Sequence, residues 1–413
     1  MTISIDGPHL LARLRDLATI GATAGGGVTR PAYSDDDLKA RDVVRGWMRE
    51  AGLAVRVDTA GNTFGRLEGT SGQDGDATLP AIVIGSHTDT VPDGGRYDGA
   101  LGVLAALEVA RTIASSDEKL RHPLEVVDFQ NEEGGIVGSK AVAGGLDAAE
   151  LSRTAVSGFT LGDGIRRLGG DPERLSDSVL TPGSRAGYVE LHIEQGRVLE
   201  RGGLDIGIVE GIVGIWYWDV VFDGVASHAG TTPMADRHDA LLAAARFVEA
   251  VHATVTSMPG RHVGTVGRLA IHPGAANVIP GRVVATLELR DLVAETVDRL
   301  YAAIESRATD IARDTGTTVR LRPSNHVTPA PTHARVRDAI AHAADVLGLT
   351  TTQLPSGAGH DAQQMTTICP SGMIFVPSVE GLSHTPRELT KDEDCINGAN
   401  VMLGVVRRLS AHG

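Results

Sequence analysis

At 413 residues the chain exceeds what one compact core usually holds, so two domains with sizeable buried interiors are expected. A formal charge of -14 argues against nucleic acid or an anionic membrane surface as a partner, because a phosphate backbone is bound through a basic face. Two cysteines, Cys369 and Cys395, offer neither a disulfide framework nor a Cys-x-x-Cys metal knuckle, which fits a reducing compartment.

The opening residues, MTISIDGPHLLARLRDL, lack a basic start followed by an apolar core, and no run of about 18 apolar residues follows anywhere. A cytoplasmic, unexported protein is expected. Ser34, three aspartates and LKARDVVRGWMREAG supply an N-cap, an acidic first turn, helical apolar spacing and a closing glycine at Gly52, which predict a helix. TSGQDGDATLP reads as an exposed loop. AIVIGSH predicts a strand, GVLAALEVARTIA a helix and PLEVVDFQNEE a second strand. Strands alternating with helices argue for an α/β layer with a mainly parallel sheet, in which chemistry sits where strands end.

From about residue 209 the idiom changes. WYWDVVFDG, DALLAAARFVEAVHATV, HVGTVGRLAIHP, GRVVATLELRD, ETVDRLYAAIESRATDIARDTG and TTVRLRPSN give the order β-α-β-β-α-β, a ferredoxin-like pattern. After it, HARVRDAIAHAADVLG, GMIFVPS and a last helix resume the first idiom. The expected organisation is a discontinuous catalytic domain, 1–208 and 327–413, with an inserted lid and dimerisation domain over 209–326. Gly207 and Gly211, flanking the insertion, are candidate hinges. Trp216 and Trp218, alternating with Tyr217, are expected to pack between sheet and helix or at a subunit contact.

The densest chemical signal is GSHTDTVPDGGRYDGALGV. His87 leaves the end of a buried strand, and Asp98 follows a glycine-rich turn that lets the backbone fold both side chains towards one point. Imidazole with carboxylate suits zinc, manganese or cobalt. Asp89, two residues on, is placed to orient the imidazole. A lone histidine after a strand is more often structural than ligating, and two adjacent acids at a strand end are more often a solvated turn. Beside a metal, however, Glu132 and Glu133 can divide the work, one taking a proton from water and the other ligating. In YVELHIEQG, Glu190, His192 and Glu194 share one face of a strand that Gln195 and Gly196 end, an exposed polar stripe or a route for His192 into a site. GLSHTPREL puts His384 in a loop open to a ligand.

These segments, with ASHAGTTPM and AANVIPGR, resemble the hydantoinase/carbamoylase amidases of the M20 metallopeptidase superfamily, from about Gly27 to the last helix. The resemblance implies two divalent ions per subunit, zinc, manganese or cobalt, bridged by Asp98. His87 and His192 would complete one ion's ligands, and Glu133 and His384 the other's. Histidine at 192, where wider M20 peptidases carry a carboxylate, favours the amidase branch. The resemblance further makes Glu132 the general base and His228 a group that polarises the substrate carbonyl. Asn277 and Arg290 would bind a substrate carboxylate, to which the planar guanidinium is suited. Gln195, Ser356 and Gly357 are expected substrate contacts, and His360 and Asp361 are expected to support the ligands. A homodimer whose lid domains associate, with the partner able to complete the site, is also implied. The reaction expected is hydrolysis of an N-carbamoyl-L-amino acid or related ureido acid. The competing readings are an allantoate amidohydrolase, an aminoacylase or dipeptidase, and a metal-binding protein without activity, for which a base at Glu132 would serve no purpose.

Overall fold

The computed structural model describes residues 3–71 and 78–411, so the centre of the loop expected over Thr70–Pro80 lies outside the described residues. The chain divides into two compact units, residues 1–211 with 331–413 and residues 212–330. The larger unit contributes β1 (Ala54–Val57), β2 (Thr63–Leu67), β3 (Ala81–His87), β4 (Leu124–Phe129), β5 (Arg185–Ile193) and β6 (Ile206–Ile212). Next come β7 (Gly214–Asp223), β8 (Ser227–His228), β9 (Val263–His272), β10 (Val278–Ile279), β11 (Arg282–Asp291) and β12 (Thr318–Val327). β13 (Ala330–Pro331), β14 (Thr351–Ser356) and β15 (Ser371–Val376) lead into the final helix, Asp392–Ala411.

The larger unit is a mixed α/β fold. Its sheet runs β1-β2-β4-β3-β5-β15-β6-β13, with β14 beside β6. β4, β3, β5 and β15 are mutually parallel, whereas β2 and β6 join this core antiparallel. β3, β4 and β15 are buried along their whole length, as strands covered by helices on both faces must be. The helices Ala100–Ser115 and Asp392–Ala411 lay apolar faces, including Val103, Leu107, Val401 and Val405, into that core. The helix Asp35–Glu50 is capped as its sequence demands: Ser34 accepts the Asp37 N–H, and three aspartates meet the positive end of the helix dipole. β6 places the change of unit three residues later than the sequence does. Its run of Ile206, Ile208 and Val209 is buried within the larger unit, and an apolar run does not disclose which sheet it joins.

The smaller unit follows the order β-α-β-β-α-β, with helices Ala240–Ser257 and Ala294–Asp314. Its four main strands lie in the order β12-β7-β11-β9, all antiparallel. Phe222, Phe247, Leu287, Leu289, Leu300 and Ile304 fill the interior between sheet and helices. Trp218 stacks on Tyr301 of the second helix at 4.7 Å between ring centres, whereas Trp216 meets His326 of the neighbouring strand at 5.0 Å. β8 and β10 pair as a separate two-stranded sheet, joined to the β7–β11 ladder at its Asp223–Arg282 end, where the Gly224 N–H donates to Gly281 O at 2.8 Å. Among the described residues no helix is long and apolar enough to cross a membrane.

Candidate active site

Because β4, β3, β5 and β15 are parallel, their C-terminal ends reach one edge of the sheet, and the polar residues of the larger unit gather there. His87 is the last residue of β3 and His192 the penultimate residue of β5. Glu132 and Glu133 follow the end of β4, and His384 lies in the loop after β15. Each buried imidazole is anchored by Nδ1 on a backbone carbonyl. His87 meets Asp89 O at 3.1 Å and His192 meets Ile193 O at 2.9 Å, which points both Nε2 atoms inward.

Both inward nitrogens face Asp98 Oδ1, at 3.7 Å from His87 and 3.0 Å from His192. Asp98 Oδ2 lies 3.4 Å from His384 Nε2, which is in turn 3.5 Å from Glu133 Oε2. The potential ligand atoms of His87, Asp98 and His192 lie within 4.8 Å of one another, and so do those of Asp98, Glu133 and His384. Two donor groups therefore share one carboxylate. Glu132 stands beside them, with Oε2 3.7 Å from His87 Nε2. The turn bearing Asp98 needs glycine at 99, where φ is +61° and a Cβ would fall 2.3 Å from the His87 ring.

The charge balance of the cluster calls for cations. Burial raises the Glu132 carboxyl well above its usual range, and Asp361, Glu133, Asp89 and Asp98 add to the effect. Burial and Asp98 lift Glu133 to about 8. Asp98 goes the other way: burial opposes ionisation, but His192, His384 and His87 together hold its pKa well below the usual value. Burial would depress His192 as well, yet Asp98 lifts it to about 9, whereas His87 is left at about 4 by burial. Glu133 Oε1 is buried with no hydrogen-bond partner. Nitrogen and carboxylate donors in two groups, with an orphaned carboxylate oxygen among them, fit divalent ions of the zinc, manganese and cobalt kind.

A cavity of about 230 Å³ opens on this cluster, lined by Asp98, Glu132, Glu133, His192, Gln195 and His384, with Ile136, Ala358, Gly359 and His360 on its other walls. Gln195 lines the cavity and also donates from Nε2 to Asp98 Oδ2 at 2.7 Å. The wall near residue 357 differs from the sequence expectation. Ser356 turns its hydroxyl to Ala358 O and His360 Nε2, inside its own loop, and Ala358 and Gly359 rather than Ser356 and Gly357 face the cavity. Asp89 holds the His87 imidazole through its backbone carbonyl, and its carboxylate, 3.9 Å from His87 Nδ1, accepts the Glu132 and Glu133 N–H groups, both at 3.3 Å. His360 packs edge-on against His192 at 4.5 Å, and Asp361 accepts the Ser139 hydroxyl at 2.5 Å.

His228, Asn277 and Arg290 belong to the smaller unit. The β8–β10 pairing brings His228 and Asn277 together, with Ala229 N–H donating to Asn277 O at 3.0 Å. His228 is exposed, and its Nδ1 accepts the N–H groups of Gly230 and Thr231 at 3.0 and 3.1 Å. That leaves Nε2 as the protonated, donating nitrogen. Arg290 sits near the far end of β11, its Nε donating to Glu288 at 2.6 Å. Eight residues of extended strand separate it from Arg282, about 27 Å, and His228 and Asn277 lie beyond that end.

Sequence reasoning did not single out Ser383, Glu388 or Arg41. The first two lie inside GLSHTPREL, within five residues of His384. Arg41 gives no local signal, being a charged residue in a helix that packs beneath the site.

Residues 83–408 match peptidase family M20/M25/M40. The chain is 43% identical to an N-carbamoyl-L-amino acid amidohydrolase of Geobacillus stearothermophilus, covering 98% of this chain and 99% of that one. It is 36% identical to a ureidoglycolate hydrolase of Arabidopsis thaliana, covering 99% of this chain and 88% of the other. Among solved structures, a hydantoinase/carbamoylase family amidase of Burkholderia multivorans superposes with a TM-score of 0.90 at 36% identity, over 99% of both chains.

Proposed function

The chain belongs to peptidase family M20/M25/M40 and, within it, to the hydantoinase/carbamoylase amidases, and from that premise we propose that it hydrolyses an N-carbamoyl-L-amino acid to the amino acid, carbon dioxide and ammonia. The observation that carries the proposal is the pair of donor groups sharing Asp98, with Glu132 beside them. Bound divalent ions would lower the pKa of water and polarise the ureido carbonyl. His87, His192 and Asp98 would hold one ion, and Asp98, Glu133 and His384 the other.

In this reading Glu132 accepts a proton from the attacking water and delivers it to the departing nitrogen, after which the carbamate breaks down to carbon dioxide and ammonia. His228 donates from Nε2 to the developing oxyanion. Arg290 and Asn277 bind the substrate carboxylate, and the smaller unit acts as a ferredoxin-like lid and dimerisation domain. One chain's Arg290 cannot share a small carboxylate with the Asn277 of that chain, since most of a strand separates them. This supports a homodimer in which each site draws Arg290 from one subunit and His228 with Asn277 from the other.

The name of the Arabidopsis relative favours ureidoglycolate as a second candidate substrate. The deciding experiment measures ammonia release by ion-reconstituted protein from N-carbamoyl-L- and D-amino acids, N-carbamoyl-β-alanine, ureidoglycolate and allantoate, with N-acetyl amino acids and dipeptides as controls. Turnover of an N-carbamoyl-L-amino acid, abolished by a chelator, is expected. Release from ureidoglycolate or allantoate alone would move the assignment to that acid, and free amino acid from the controls alone would replace the ureido reading with an aminoacylase or peptidase.

A further inference from the structure

We infer that Glu388 is a positioning residue for Asp98, acting on its main chain directly and on its carboxylate through Ser383; the inference rests on the two-ion reading above. Glu388 lies four residues beyond His384 and is buried. Its Oε1 accepts the N–H groups of Tyr97 at 2.9 Å and Asp98 at 3.1 Å. Its Oε2 stands 3.0 Å from Ser383 Oγ, which is also 2.9 Å from Asp98 Oδ2, so that the one hydroxyl hydrogen lies between the two carboxyl groups and is donated to one of them at a time. These partners are two N–H groups and one hydroxyl, with no lysine or arginine among them. The turn before Asp98 is cleared to admit this side chain: a Cβ on Gly95 would fall 1.9 Å from the Glu388 carboxyl group.

An aspartate that bridges two ions must present both oxygens in fixed directions, or each ion sees a ligand that rotates away. Asp98 is fixed at its amide by Glu388 and at Oδ2 by Ser383, with Gln195 as a second donor to that oxygen. Oδ1 is then left to His87 and His192. The same carboxylate ties the loop carrying His384 to the turn carrying Asp98, so two donors from distant segments keep their spacing. Groups behind the ligands typically change ion affinity by roughly 10–100-fold when removed.

The test titrates full-length, chelator-stripped protein with Co²⁺, followed by calorimetry and by the visible absorption of the bound ion, with thermal unfolding recorded separately. The wild type should take up two ions. Glu388→Ala and Ser383→Ala should each bind at least one ion roughly 10–100-fold more weakly and show an altered cobalt spectrum. Ser383→Ala removes one hydroxyl, so it keeps the question open to measurement even where Glu388→Ala fails to fold. Glu388→Gln should bind as the wild type does, because its amide keeps an acceptor for the two N–H groups and offers a donor to Ser383. Unchanged affinity in Ser383→Ala, or a Glu388→Gln variant as weak as Glu388→Ala, would overturn the inference alone. A wild type that takes up no Co²⁺ would overturn the two-ion reading and this inference with it.

Discussion

Glu132 and Glu133 are adjacent in sequence yet turn to different neighbours, Glu132 to His87 and Glu133 to His384. That divergence is what the proposed roles of proton acceptor and ligand require, and it gives the proposed base a clean test. Glu132→Gln keeps the shape of the side chain and removes its basicity, so ammonia release should fall by about 10²–10⁴-fold while ion stoichiometry stays at the wild-type value. Near-normal turnover would remove Glu132 from the role. Gly99 poses a steric question instead. Alanine there would meet the His87 ring and strain a backbone at φ +61°. Displacement of a ligand by about 1 Å can cost on the order of 100-fold in rate, and a loss of that size in kcat/KM is expected for Gly99→Ala. An unaffected variant would mean that His87 can yield without consequence.

At the scale of elements, legibility followed the range of the interactions. The helix Asp35–Glu50 was readable because its cap, acidic turn and closing Gly52 are local. The gathering of His87, Glu132, Glu133 and His192 was readable because each stands at or just past a strand terminus. Alternation left open whether the polar face of β5 is solvated: Glu190 and His192 are fully enclosed, because the strand is central in the sheet, and Glu190 is satisfied by Ser86 and the Ala362 N–H. Arg41 was invisible. It donates to the Asp128 and Phe129 carbonyls, 87 and 88 residues along the chain, and pairs with Asp37 and Asp128 in full burial. Burial alone would depress its pKa, but Asp128, Asp37 and Asp89 hold it charged. Removing one partner of a buried ion network strands the others, so Arg41→Met should lower unfolding stability by about 3–5 kcal/mol, read from urea denaturation. A loss below about 1 kcal/mol, the worth of an exposed pair, would show that the network is not what ties this helix to the strand that delivers Glu132.

At the scale of the whole molecule, most of the 52 acidic residues lie outside the buried set, and Asp89, Asp98, Glu132 and Glu190 are among the minority that are enclosed. The division into two units has a sharper consequence. Within the smaller unit, His228 and Asn277 lie past one end of the β7–β11 ladder and Arg290 near the other. A ureido acid is far shorter than that span, so a site using all three residues needs two chains. His228→Ala and Arg290→Ala homodimers should then each be nearly inactive for different reasons. When the two variants are co-expressed, half of the dimers are mixed, and each mixed dimer carries one site with both residues intact and one with neither. Activity should return to about a quarter of the wild-type value under random pairing of identical interfaces. Recovery near that level would establish that the substrate is held by two subunits. No recovery, with mixed dimers demonstrated by tagged purification, would confine each site to a single chain and remove either His228 or Arg290 from contact with the substrate.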